Sequence, residues 1–122
     1  MKFHLSRPEG NMVTGTGPGW VRVGVDEHRA SFVMTADSLE TGWADGGFEA
    51  LSERDFESLM ALTPEIVLLG TGARQRFPHP RLYRALTNAG IGVEIMDSAA
   101  AARTYNIIAA EGRRVAAALI LP

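Results

Sequence analysis

The sequence contains no cysteine, which excludes a disulfide framework, a thiolate-held iron–sulfur cluster and thiol catalysis. Aromatic residues make up 7% of the 122 positions and charged residues 21%. The dense basic run with interleaved aromatics that marks a nucleic-acid-binding surface is missing, so no nucleic-acid partner is expected. Long apolar runs are missing too. The longest, Val115 to Leu121, falls far short of the roughly 20 residues that a helix needs to cross a bilayer, and no membrane span is expected. The start, Met1-Lys2-Phe3-His4-Leu5-Ser6-Arg7-Pro8, lacks the sustained apolar core and small-residue cleavage site of a signal peptide, which makes the expected location cytoplasmic. His4, His28 and His79 are scattered, none with a second metal-type residue at helical or hairpin spacing, so neither a metal nor a cofactor is expected. No serine stands in a nucleophile-elbow context, which removes sequence support for a hydrolase triad.

What is present fits an ordinary globular chain. With 46% hydrophobic residues, a single domain over residues 1–122 buries roughly two thirds of its unfolded surface, enough for a core without staples. The formal charge is -2, but it is unevenly spread. Residues 1–63 carry 5 Lys/Arg against 10 Asp/Glu, and residues 64–122 carry 7 against 4. Such an asymmetry either orients the molecule towards a charged partner or neutralises itself within the fold.

The stretch Pro64-Glu65-Ile66-Val67-Leu68-Leu69-Gly70-Thr71-Gly72 reads as a strand covered on both faces, because its apolar residues are continuous instead of alternating. Before it, residues 1–19, with the breaker cluster Gly15-Thr16-Gly17-Pro18-Gly19, predict an extended or irregular lead-in. Period-two patterning from Trp20 places Val21, Val23 and Val25 on one face of a strand. Asp26-Glu27-His28-Arg29 is expected to turn the chain into a second strand through Ala30, Phe32 and Met34, giving an antiparallel hairpin. A short third strand is expected through Leu39, Thr41 and Trp43. Ser52 with Asp55 forms a capping-box pattern, and Leu51 with Phe56 stands where a hydrophobic staple would sit. The helix that follows should bury Phe56, Leu59 and Met60 and stop at Pro64. Beyond the main strand, Pro80 suits the first position of a second helix and Gly90 its left-handed end. Ile91 to Met96 reads as a strand, Asp97-Ser98 as the cap of a third helix that ends at Gly112, and Val115 to Leu121 as a buried final strand. The expected organisation is an N-terminal β-hairpin portion followed by a C-terminal βαβαβ portion, an α/β fold.

Three groups of residues invite a chemical reading. Gly70-Thr71-Gly72, with Arg74 and Arg76, offers a turn whose backbone N–H groups and guanidinium groups suit an anion. It departs from a dinucleotide fingerprint at Gln75, where the third glycine would stand, and from a Walker loop in lacking Gly-Lys-Ser/Thr. Asp97, at the end of the neighbouring strand, would face Thr71 if the two strands are parallel, or else would simply cap its own helix. Arg103, Thr104, Tyr105 and Asn106, followed by Glu111, Gly112 and Arg113, keep polar groups on an otherwise apolar helix. The arginines and Glu111 suit a solvated face, and Tyr105 and Asn106 suit internal hydrogen bonds.

Pro64 to Gly72, Gly90 to Asp97, Ala102-Arg103-Thr104-Tyr105-Asn106 and Glu111-Gly112-Arg113-Arg114-Val115-Ala116-Ala117-Ala118-Leu119 together resemble a known family. It is that of mitochondrial NADH dehydrogenase (complex I) assembly factor 3 and its uncharacterised bacterial and archaeal single-domain relatives. The resemblance implies a three-layer α/β domain with a mixed central sheet, in which the strand from Val115 is free to run antiparallel to its neighbours. It also implies a non-enzymatic assembly role carried out through protein partners, with no catalytic residues to transfer. The expectation is therefore a binding or assembly-type protein rather than an enzyme. The alternative is a small anionic-ligand binder or enzyme using Thr71, Arg74 and Asp97. A homodimer through the hairpin edge or an exposed Trp20 or Trp43 is a third possibility.

Overall fold

The structure is a computed structural model and describes residues 10–121. Its centre is a five-stranded mixed sheet in the order β5-β4-β8-β6-β7, built from β4 (Phe32–Thr35), β5 (Ser38–Thr41), β6 (Ile66–Thr71), β7 (Gly92–Met96) and β8 (Val115–Ile120). β6 runs parallel to both β7 and β8. β8 is antiparallel to β4, with Phe32 opposite Leu119 and Met34 opposite Ala117. The last strand is thus parallel to one neighbour and antiparallel to the other, and the βαβαβ portion lies at β8-β6-β7.

The continuous apolar run of β6 divides residue by residue between two cores. Val67 and Leu69 join Val33, Ala116, Ala118 and Ile120 on one face. Leu68 joins Phe32, Met34, Val115, Ala117 and Leu119 on the other. Each fully buried leucine stabilises the fold by about 1.5–3 kcal/mol. The chain leaves β6 towards β7 and then returns across it to β8. If both crossovers keep the usual right hand, this reversal puts the two connecting helices on opposite faces. α2 (Arg84–Asn88) accordingly contributes Leu86 to the first core, and α3 (Ser98–Ala110) contributes Ala101 and Tyr105 to the second.

α1 (Glu53–Glu57) begins at Ser52 with both hydrogen bonds of the capping box to Asp55 present. Leu51 and Phe56 are buried in the same core. After five residues the helix tightens into a 3-10 turn, Ser58–Leu62, which rotates Met60 away from the expected buried stripe and leaves it 38% exposed. Pro80 opens a 3-10 turn, Pro80–Tyr83, that leads into α2. Gly90 and Gly112 adopt the expected left-handed conformations, with φ of 79° and 83°.

The N-terminal third departs from the sequence expectation. Residues 1–9 of the expected lead-in lie outside the described residues. Val13–Gly17 forms a strand, β1, which pairs with β2 (Trp20–Val23). The glycines that read as breakers are cross-strand partners, Gly17 of Trp20 and Gly15 of Arg22. A Cβ at Gly17 would lie 2.4 Å from the Trp20 indole nitrogen, so a bare backbone is what lets the ring lie across β1. Asp26–His28 forms a third strand, β3, instead of a turn. The reversal falls one step earlier, at Gly24 with φ of 59°, and leaves Val25 92% exposed instead of aligned with Val21 and Val23. Consequently the strand through Phe32 does not pair with β2. It belongs to the large sheet, and its hairpin partner is β5. β5 stops at Thr41, and Gly42 (φ 89°) redirects the chain. Trp43 is therefore buried in the first core, where its indole N–H donates to the Asp55 carbonyl at 2.9 Å. The small β1-β2-β3 sheet and α3 cover one face of the large sheet, while α1, α2 and their 3-10 turns cover the other.

Candidate functional site

Thr71 ends β6 and Asp97 follows directly on β7, so the parallel pairing brings them to the same end of the sheet. The polar groups gathered there bond to one another. Thr71 is 1% exposed. Its hydroxyl donates to the Arg74 carbonyl at 2.7 Å and accepts from the Arg76 N–H at 3.0 Å. The Gly72 N–H, the group that a phosphate cradle would offer, donates to Ser98 Oγ at 2.8 Å. Ser98 Oγ in turn donates to the Ile120 carbonyl, and the Ser98 N–H donates to the Gly72 carbonyl at 2.9 Å. A Cβ on Gly70 would lie 2.8 Å from the Leu119 side chain and 2.9 Å from Ser98 Cα. Gly70 is thus the residue that lets α3 sit down on the strand end. Asp97 caps α3 by accepting from the Ala100 N–H at 2.8 Å. Arg74 is exposed. Ser98 is the residue that sequence reasoning underrated here. Its signal was a small polar residue directly after the capping aspartate and before a run of alanines.

Arg76, in the same loop, stacks 4.2 Å over the Phe48 ring and pairs with Glu49 at 2.7 Å. A backbone hydrogen bond at Glu49, and then Arg76, hold the Glu49 carboxyl below the usual carboxylate range. Phe77 beside it is 69% exposed.

The Arg103-Thr104-Tyr105-Asn106 segment faces two ways. Asn106 Oδ1 accepts from the Val13 N–H at 2.9 Å, and its Nδ2 donates to the Val13 carbonyl at 2.8 Å. The Tyr105 hydroxyl donates to the Asn11 carbonyl at 2.8 Å. Burial, followed by the nearby Asp37 carboxylate, pushes the Tyr105 pKa up to about 12. The Thr104 hydroxyl reaches Met96 Sδ at 3.5 Å. Arg103 is exposed on the outer face, next to Ile107, which is 63% exposed. Tyr105 and Asn106 therefore fasten the small sheet to α3.

Glu111, Gly112 and Arg113 lead to the opposite end of the sheet. Glu111 is exposed, whereas Gly112 and Arg113 line a groove of about 330 Å³. Its other walls are the Thr35–Asp37 turn, Leu62, Thr63 and Pro64, together with Ala109, Arg114 and Val115. Glu65 stands between two arginines, 3.8 Å from Arg113 and 3.5 Å from Arg114. Arg114 Nε also donates to the Thr63 carbonyl at 2.8 Å. Thr63 is left-handed, with φ 47° and ψ 50°, a conformation that costs a β-branched residue about 1–3 kcal/mol. The groove is a feature that sequence reasoning missed, because its walls come from four separate segments.

The fold and these two sheet ends define a small α/β domain with a mixed five-stranded sheet and an accessory three-stranded sheet. Residues 13–120 match the family described as "Protein of unknown function (DUF498/DUF598)", and the chain belongs to that family. Among curated relatives it is similar to bovine NADH dehydrogenase [ubiquinone] 1 alpha subcomplex assembly factor 3, 39% identical over 82 residues. That match covers 66% of this chain and 45% of the relative, so the chain spans less than half of the bovine protein. It is also similar to an uncharacterised protein of Rhodobacter capsulatus, 36% identical over 110 residues, covering 88% of this chain and 82% of that protein. A crystal structure of a Bordetella parapertussis protein superposes with a TM-score of 0.86 at 36% identity, over 93% of this chain and 98% of that one. The resemblance to the assembly-factor family and its bacterial relatives is thereby borne out.

Proposed function

We propose that the chain is a cytoplasmic binding protein that acts, without a catalytic step of its own, in assembling a multisubunit complex through protein partners. The NADH dehydrogenase is the first complex to test, since the bovine relative's name places that protein in its assembly. The observation that carries the reading is where the motif's polar groups go. Thr71 bonds to the backbone of Arg74 and Arg76 in its own loop and of Met96 at the end of β7, Gly72 and Ser98 bond to each other and Ser98 to the end of β8, while Tyr105 and Asn106 bond to the backbone next to and within β1. Groups so engaged shape a rigid body.

Affinity purification of the tagged chain from its native host is the test. Recovery of NADH dehydrogenase subunits in the soluble fraction is expected. Recovery of the chain alone, or only with membranes, contradicts the reading. The alternative, an anionic ligand at Thr71, Arg74 and Asp97, requires the Gly72 N–H to exchange Ser98 for the ligand. A thermal-shift screen of anionic metabolites, repeated on Arg74→Ala, separates the two. A homodimer would rest on half-buried Trp20 and not on Trp43, which is 9% exposed, and solution scattering reads it directly.

A further inference from the structure

We propose that the groove at the start of β6 and β8 binds an extended acidic–apolar segment of a partner protein. One apolar side chain would lie on the groove floor, and a carboxylate would lie on Arg113 and Arg114. This names a docking surface for the assembly role and rests on that reading.

Three observations carry it. The floor is apolar, made by Leu62, Pro64, Ala109 and Val115, and its volume of about 330 Å³ accommodates a side chain or two. The rim is charged and incompletely satisfied. The Arg113 and Arg114 side chains keep 48% and 65% of their exposure and share one carboxylate, Glu65, at 3.8 and 3.5 Å. Charge-assisted pairs close to about 2.7–2.9 Å when well made, so two forked guanidinium groups around one distant carboxylate leave donors for a second. Asp37, which also lines the groove, disfavours an acid beside it and so restricts where along the groove the ligand's carboxylate can lie. The third observation is backbone strain. Thr63 is kept left-handed at the lip, with its carbonyl tied to Arg114, and such strain concentrates at ligand clamps.

The test uses the full chain, labelled with 15N, titrated with two pools of short synthetic peptides. One pool mixes Asp and Glu with Leu, Ile and Phe, and the other replaces the acids by Lys and Arg. The acidic pool should shift the amides of Ala36, Thr63, Gly112 and Arg113, and the basic pool should not. Arg113→Glu gives up a long ion pair and sets a second carboxylate near Glu65, both at exposed side chains, so the variant should keep the parent fold, with its own shifts confined to the neighbourhood of residue 113, and lose affinity for the acidic pool by about tenfold or more. Equal shifts with both pools, no shifts at the groove, or an unchanged affinity in Arg113→Glu would overturn the proposal. So would sodium decanoate binding as tightly as the best peptide, which would make the occupant a small amphiphile. Concentration-dependent shifts without any peptide would likewise overturn it in favour of a second copy of the chain. Peptide binding in a host whose NADH dehydrogenase assembles normally without this protein would sink the assembly reading and leave the groove standing.

Discussion

Asn106→Ala is the substitution that most sharply separates an internal role for the motif from a ligand-binding one. Among the described residues, β1 sits at the edge of the small sheet, paired with β2. The Asn106 amide gives Val13 one donor and one acceptor, at 2.8 and 2.9 Å, which is what a third strand's peptide unit would supply. Truncation removes two hydrogen bonds worth about 1 kcal/mol each and leaves a half-buried N–H and C=O short of partners, for a total of about 2–4 kcal/mol. That is a large share of the roughly 5–15 kcal/mol by which a domain is stable. With a urea slope of about 1–3 kcal/mol per molar, the unfolding midpoint should fall by about 1–2 M. Circular dichroism in urea measures it, and hydrogen exchange at the Val13 amide checks that the loss is local. Asn106→Asp keeps an acceptor but sets a carboxylate against the Val13 carbonyl, so it should not rescue stability at neutral pH. A loss below about 0.5 kcal/mol, the size of an ordinary surface substitution, would refute the reasoning and free Asn106 for another role.

The other consequences concern the Gly70–Ser98 junction and Tyr105. Ser98→Ala leaves the Gly72 N–H and the Ile120 carbonyl buried without their partner, which should cost about 2–4 kcal/mol and lower the Tm by about 10–15 °C in a thermal scan. Gly70→Ala drives a methyl group against Ser98 Cα and the Leu119 side chain. An overpacking loss of about 1–3 kcal/mol is expected, and an unchanged urea midpoint would mean that the junction is looser than described. Tyr105 holds its proton to about pH 12 when folded, above its unfolded pKa of about 10. The stability it contributes is therefore complete below pH 10 and declines as pH rises towards 12. Tyr105→Phe should be less stable at pH 8 through loss of the Asn11 bond, yet lose less between pH 10 and 12. Parallel melting curves for the two proteins would contradict that assignment.

From Ser52 onwards the chain was legible because its signals are local. The apolar continuity of Ile66–Leu69, the capping box at Ser52 and Asp55, Pro80 at a helix start and Asp97 as a cap each depend on neighbours in sequence. The part before Ser52 was not, because its pairings rest on cross-strand contacts. Gly15 and Gly17 look like breakers until Arg22 and Trp20 are seen lying across them, and one of the two strands that flank Phe32, β8, lies more than eighty residues away in sequence. Periodicity gave Val25 a buried face that one left-handed glycine removed. The candidate site shows the same limit. Sequence placed Thr71 and Asp97 at one sheet end, but not the Ser98 hydroxyl that occupies the Gly72 N–H. It also placed Gly112 and Arg113 after a helix, but not beside Thr35–Asp37 and Thr63, which complete the groove.

Deletion of the gene in its native host, followed by native-gel separation of the NADH dehydrogenase and its subcomplexes, tests the assembly role most directly. The account predicts less mature enzyme and an accumulated subcomplex with which the restored, tagged chain co-migrates. Mature enzyme at its normal level, with no such subcomplex, would contradict it.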